Sequence, residues 1–197
     1  CPRVMAKVNS TFDTATNTYR LIREIGGGGS GIVYSVEDSE GQQFALKVLR
    51  EANSEKRKRF GNELDFCRRT LHPHIVRVAR FFEANNTAYM VLEYERGKSL
   101  KNWWLDKKNV LERDLLTLLL PLLDGLGAVH EAGYLHRDIK PDNIYIRADG
   151  SPVLIDFGAA RRFEGGRDLT SIVSPGFAPF EQYHSQGHQG PWTDLYS

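Results

Sequence analysis

The sequence predicts an α+β chain of two lobes. A five-stranded antiparallel sheet with one helix is expected in the first half, and mainly helices in the second. Three observations predict this. Short β-rich runs separated by turn-forming clusters fill residues 19–49 and 76–94. A single helical stripe, Phe60, Leu64, Cys67 and Leu71, lies between them. Beyond residue 96 helical spacing takes over, with an apolar stretch at 115–126. At 197 residues the chain can hold one sizeable core or two small lobes sharing a cleft.

The elements follow in order. Residues 1–18 are polar and rich in Thr and Asn, which reads as a flexible lead-in without a signal peptide. Residues 19–25 form a short strand pattern, followed by the run Gly26-Gly27-Gly28-Gly29-Ser30-Gly31. Runs at 32–36 and 43–49 are joined through Asp38-Ser39-Glu40-Gly41, a turn-forming cluster. Ser54 suits the N-cap of a helix reaching about residue 70. The basic run Lys56-Arg57-Lys58-Arg59 reads as the solvated face of that helix. Strands at 76–82 and 87–94 flank Asn85-Asn86. A short helix is expected at 100–105 and a longer one at 113–131, bent at Pro121, where the ring removes a backbone donor. Residues 144–146 and 153–155 flank Asp149-Gly150, a hairpin signal. Residues 159–180, with Gly165, Gly166, Pro175 and Pro179, read as a long loop.

Composition narrows the function classes. Lys plus Arg is 26 and Asp plus Glu 25, so nothing global points to nucleic acid or an anionic membrane. Cys1 and Cys67 are far apart, so no disulfide framework or metal cluster is implied, and a reducing compartment fits. The 115–126 stretch is too short to span a bilayer and contains Pro121 and Asp124, so no membrane segment is expected.

The chemistry is concentrated in His136-Arg137-Asp138-Ile139-Lys140-Pro141-Asp142-Asn143, with Asp156-Phe157-Gly158 beyond the hairpin. A carboxylate, an ammonium, a carboxamide and a second carboxylate can together steer a hydroxyl, neutralise a phosphate and hold Mg²⁺. Turn formation and capping are the plainer roles of Asp138, Asn143 and Asp156. Gly26, Gly28 and Gly31 give G-x-G-x-x-G, with Val33 two residues on. The spacing alone also serves dinucleotide folds, and GGGGS is a common engineered linker. The flanks decide, because strand residues lie on both sides and no long helix follows. Glycines in a strand–turn–strand let backbone N–H groups close over phosphates.

With these motifs the chain resembles a eukaryotic-type protein serine/threonine kinase of the bacterial kind, from about residue 19 to the end. The resemblance implies a two-lobed protein-kinase-like fold, with lobes at 19–95 and 96–197 and an activation segment at 156–181. It implies ATP and Mg²⁺ as cofactors, with Mn²⁺ an alternative. Ala45-Leu46-Lys47-Val48 is similar to the third-strand motif, which makes Lys47 the ammonium on the α and β phosphates, paired with Glu63 on the helix. Asp138 would be the catalytic base, Lys140 would reach the transferring phosphoryl group, and Asn143 and Asp156 would ligate the metal. His136 and Phe157 would be packing residues.

Tyr89-Met90-Val91-Leu92-Glu93-Tyr94-Glu95 resembles the strand and hinge that receive adenine. Leu92 would sit at the back, and the backbone at Glu93 and Glu95 would bond the base. Ile25, Val33 and Ala45 would line one side and Tyr145 the other, where many relatives carry leucine. Lys140 after Asp138 is the serine/threonine pattern, and Ser174 matches a hydroxyl bonded to both. Arg137 suggests a site for a phosphate on the loop, with Thr170 and Ser171 the candidates for autophosphorylation. Gly176-Phe177-Ala178-Pro179-Phe180-Glu181-Gln182 departs from a strict A-P-E by one residue. Glu181 would be its structural acid, and Asp194 would bond the catalytic-loop backbone.

The family normally continues well past Ser197. A fragment of a longer protein is the preferred reading, ahead of a surface borrowed from another copy or a shortened form. The apolar face of the 113–131 helix would then lack a partner. The expected function is transfer of the γ-phosphoryl group of ATP to Ser/Thr hydroxyls of proteins, autophosphorylation included, in the cytoplasm or on the cytoplasmic face of a membrane. The alternatives are a weak or inactive nucleotide-binding scaffold of the same fold, and a small-molecule phosphotransferase, which the loop with Ser174 and Ala178-Pro179 disfavours.

Overall fold

The computed structural model describes residues 11–13, 17–28, 31–49, 54–84, 87–162, 174–183 and 187–197. The chain divides into two units, Cys1–Leu64 with Arg77–Tyr94, and Asp65–Val76 with Glu95–Ser197. Thr170, Ser171, Gly29, Ser30, Asn85, Asn86, Cys1 and the Ser54 side chain lie outside the described parts.

The first unit is a sheet with a helix on one face. Its elements are β1 (Thr11–Asp13), β2 (Thr18–Gly28), β3 (Gly31–Asp38), β4 (Gln43–Leu49), α1 (Ser54–Arg69, ending beyond the unit), β5 (Val78–Ala84) and β6 (Thr87–Glu93). The strand order is β1-β2-β3-β4-β6-β5, and every pairing is antiparallel. Five strands answer the sequence reading. The sixth, β1, lies within the stretch read as lead-in, with Thr11 opposite Arg20 and Asp13 opposite Thr18. Three residues are too few for alternation to reveal a strand, and only the pairing with β2 makes it one.

Alternation along β4 separates the two faces. Phe44, Leu46 and Val48 join Tyr19, Leu21, Tyr34, Val36, Tyr89 and Val91 in one cluster. There Tyr19 meets Phe44 edge-on, and Phe82 stacks on Tyr89. The opposite face gives Leu49, Ala88 and Met90 to a second cluster with Phe60 and Leu64 of α1. Phe60 and Leu64, two residues of the helical stripe predicted for α1, therefore dock it on the Lys47 side of the sheet. Leu71 is the exception, because it lies beyond the helix and is exposed.

The second unit is led by helices and two small sheets. After β7 (Gly97–Ser99) come α2 (Leu100–Asp106), α3 (Glu112–Glu131), β8 (Tyr134–Leu135), β9 (Ile144–Arg147), β10 (Pro152–Leu154), β11 (Arg161–Arg162), α4 (Phe180–Tyr183) and α5 (Pro191–Tyr196). The Ser99 side chain caps α2 by accepting from Asn102 N at 3.2 Å. Helix α3 runs as one element through Pro121 and buries Leu118, Leu122, Leu126 and Val129. Leu116, Leu119, Leu120 and Leu123 are exposed. No helix among the described residues is long and apolar enough to cross a membrane.

The hairpin predicted around Asp149-Gly150 forms, with Val153 opposite Tyr145. It gains a third strand, β7, opposite β9. The sequence reading puts residues 65–76 in the first lobe, whereas the structure counts Asp65–Val76 with the second unit. Phe66 explains this, since its ring lies 5.1 Å from Tyr134 and 4.5 Å from Phe157. Val76 N also donates to Leu154 O at 2.9 Å.

Candidate active site

Strand register assembles the first group. Val33 lies opposite Lys47, and Ala45 opposite Leu92. Ala45 and Lys47 are two residues apart on β4, so all four share one sheet face. It is the face on which α1 packs, and Glu63 of α1 meets Lys47 there. Lys47 Nζ donates to Glu63 Oε1 at 2.7 Å and to Oε2 at 2.8 Å. Both side chains are about 95% buried, at 5% and 4% exposure. A buried ion pair adds little net stability, because desolvation offsets the attraction, so its presence favours a functional explanation.

The glycines differ among themselves. Gly31 pairs so closely with β4 that a Cβ would run into the Val48 carbonyl. A Cβ on Gly26 would meet nothing within 4 Å. Gly26 lies opposite Val33 and Gly28 opposite Gly31, so the run is part of a strand pair as far as Gly28. Ile25 sits at an irregularity between the Glu24 and Gly26 pairings and is 38% exposed. Glu93 ends β6, and its N–H donates to Arg77 O at 3.0 Å.

The second group lies within the second unit, around Asp138. Lys140 Nζ donates to Asp138 Oδ2 at 2.8 Å and to Oδ1 at 3.0 Å. Asn143 Nδ2 donates to Asp138 Oδ2 at 2.8 Å and to its carbonyl at 2.9 Å. Ser174 Oγ donates to Asp138 Oδ1 and accepts from Lys140 Nζ at 3.1 Å. The carboxylate is thus fixed by an ammonium, an amide and a hydroxyl. Asn143 Oδ1, which makes neither of those bonds, is the atom suited to a cation.

Asp156 has a left-handed backbone, φ 60°, and its side chain accepts from Gly158 N at 3.3 Å. Ile155 N donates to Asn143 O at 2.9 Å, so the two proposed metal-bearing residues flank one backbone bond. Both offer oxygen, as a hard cation requires, and two protein donors are the number that Mg²⁺ completes with phosphate and water. Donor chemistry therefore fits the metal. No group of three or more His, Cys, Asp or Glu able to hold a metal occurs among the described residues. Such a cation would depend on the phosphates for its remaining ligands.

His136 and Phe157 are both fully buried, with ring centroids 4.6 Å apart. Asp138 N donates to His136 Nδ1 at 3.3 Å, which leaves Nε2–H to donate to Ile155 O at 3.3 Å. Burial lowers the His136 pKa from its ordinary 6.5, with Asp194, Asp138 and Asp156 opposing the shift. The imidazole is a neutral brace between the loop and the strand before Asp156. Asp65, beside Tyr134, is held below the usual carboxylate range mainly by its hydrogen bond from Arg69.

Arg137 also has a left-handed backbone, φ 66°. Asp194 holds it in place, accepting from Arg137 N at 2.7 Å and His136 N at 2.8 Å, as the sequence reading expects. His130 Nε2 bonds the same carboxylate at 2.9 Å. Glu181 accepts from Thr193 Oγ1 at 2.9 Å. Gln182, 1% exposed, donates to Arg137 O at 2.7 Å. The sequence reading gave Gln182 and His130 no role. A lone glutamine and a lone histidine at a helix end carry no spacing signal, and only the folded contacts reveal them.

Glu95 and Tyr145 belong to the second unit too. Arg147 forks onto the Glu95 carboxylate, and Tyr145 OH donates to Gly97 O at 2.9 Å.

Comparison with known proteins shows the family. Residues 19–197 match the model of the protein kinase domain. The chain is 36% identical over 205 residues to serine/threonine-protein kinase PknA of Nostoc sp., covering 92% of this chain and 35% of that protein. It is 30% identical over 191 residues to maternal embryonic leucine zipper kinase of Xenopus tropicalis, covering 94% of this chain and 29% of the relative. It is 37% identical over 163 residues to serine/threonine-protein kinase pkn2 of Myxococcus xanthus, covering 79% of this chain and 19% of the relative. The chain belongs to the protein kinase family. It spans about a third or less of the length of these curated relatives.

Proposed function

We propose that the chain transfers the γ-phosphoryl group of ATP to serine and threonine hydroxyls of proteins. The observation that carries this reading is the Asp138 carboxylate gripped by Lys140, Asn143 and Ser174. Asp138 orients the acceptor hydroxyl and takes its proton as the new P–O bond forms and the bond to ADP breaks. Lys140 balances the charge on the transferring oxygens. Lys47, held by Glu63, pairs the α and β phosphates. Any base contact at Glu93 runs through its carbonyl, since its N–H already serves Arg77 O. Asn143 Oδ1 and the Asp156 carboxylate would hold Mg²⁺, which would neutralise phosphate charge when bound, and Mn²⁺ would suit the same oxygens.

Ser174 beside Lys140 supports serine/threonine specificity, as do the names of the bacterial relatives. Thr170 and Ser171 remain our candidates for autophosphorylation. Phosphate found elsewhere on the chain but not between Asp156 and Glu181 after incubation with ATP would remove them. The function itself is tested with Asp138→Asn. ATP binding is expected to persist while phosphoryl transfer to a generic basic protein falls at least a hundredfold, on the order of a lost general base. Equal transfer by both forms overturns the assignment.

A further inference from the structure

Residues 95–97, which follow the strand proposed to receive adenine, are fastened to β9 and its turn one after another. Arg147 Nε donates to Glu95 Oε2 at 2.6 Å, and its Nη2 to Glu95 Oε1 at 2.8 Å, a two-pronged grip. The third side of the guanidinium donates to Pro73 O at 2.8 Å and reaches Ser151 Oγ at 3.5 Å. Ala148 N donates to Arg96 O at 2.8 Å. Tyr145, two residues before Arg147 on the same strand, donates its hydroxyl to Gly97 O at 2.9 Å. Gly97 lies opposite Arg147, so close that a Cβ there would run into the Ile146 carbonyl.

We propose that Arg147 is a positioning residue for the adenine base, acting through Glu95, with Tyr145 securing the adjoining Gly97. This rests on the nucleotide reading given above. A staple serving the fold alone needs no more than the β7–β9 backbone pairing. Here a planar fork engages the side chain of Glu95, one of the two residues whose main chain is assigned to the base. Its charges are largely shielded, at 24% and 16% side-chain exposure, so the grip is firmer than that of an open surface pair. Holding Glu95 in place beforehand removes an ordering cost from base binding. Nothing in the arrangement bears on the phosphates, and that predicts a selective effect. It also gives the Tyr145 hydroxyl a task.

The test is calorimetric titration of the chain with adenosine, Mg·ATP and Mg·tripolyphosphate. Arg147→Met is expected to weaken adenosine and ATP about tenfold and leave tripolyphosphate unchanged, in line with couplings between contacting residues. Arg147→Lys recovers only part, because an ammonium grips as a point charge. Tyr145→Phe keeps the ring and weakens adenosine less, about threefold. Thermal melts verify folding, and if Arg147→Met does not fold, Tyr145→Phe and Glu95→Gln carry the same comparison. Unchanged adenosine affinity, or equal losses for adenosine and tripolyphosphate, overturns the proposal. Wild type that binds no ATP sinks the nucleotide reading itself and this inference with it.

Discussion

Arg137 and Asp156 adopt a backbone conformation that costs an L-residue about 1 kcal/mol or more outside a special setting. Each is restrained by hydrogen bonds. Asp194 and Gln182 hold Arg137 from its N–H and its carbonyl side, while the Gly158 N–H holds the Asp156 carboxylate. Between them stands His136, whose neutral ring bonds both neighbouring segments. Its folded-state pKa lies below the ordinary 6.5, so the unfolded chain binds the extra proton. The stability this withholds from the unfolded state is fully present above about pH 6.5 and drains away as pH falls toward the folded pKa, at no more than about 1.4 kcal/mol per pH unit. Chemical denaturation between pH 7.5 and 5 should show that slope, and His136→Asn should flatten it. Asp65 and Asp149, also shifted downward, act only below their ordinary 3.8 and leave this window clear. At this scale the sequence is legible where chemistry is local. Asp138, Lys140 and Asn143 fall within six residues, and folding merely closes them on one another. Gln182 and Arg147 act across 45 and 52 positions, and no pattern along the chain announces such contacts.

Among the elements, strands of seven residues or more with a continuous buried run were readable from the sequence, as β4 and β6 illustrate. The three-residue strands β1 and β7 were not, because each is a strand only by virtue of its neighbour. The glycine run shows the same division. Spacing marks Gly26, Gly28 and Gly31 alike, yet packing separates them. Gly31→Ala would drive a methyl into the Val48 carbonyl, a backbone atom that cannot swing aside. It should destabilise the chain by about 1–3 kcal/mol, the usual penalty for overpacking. Gly26→Ala, with open space around it, should change stability by less than about 0.5 kcal/mol. Urea titrations of the two variants decide the matter, and comparable losses would refute a packing role particular to Gly31.

For the molecule as a whole, the sequence pattern changes near residue 96, and one of the boundaries between the two units falls between Tyr94 and Glu95. The allocation of Asp65–Val76 to the second unit was hidden, because Phe66 reads as one more apolar position of a helix until Tyr134 and Phe157 appear beside it. The family match begins at residue 19, a natural place to trim the chain. Trimming there would remove β1 and bare β2 at Thr18–Arg20, so that the eleven-residue strand would have no neighbour along the whole of that side. A long unpaired edge invites strands from other molecules, and a short strand laid over one end of it interrupts the run that could be copied. Light scattering during storage should rise for a chain starting at residue 18 and stay low for the full sequence. Those three residues would then act as a guard on colloidal behaviour, keeping molecules apart in concentrated solution.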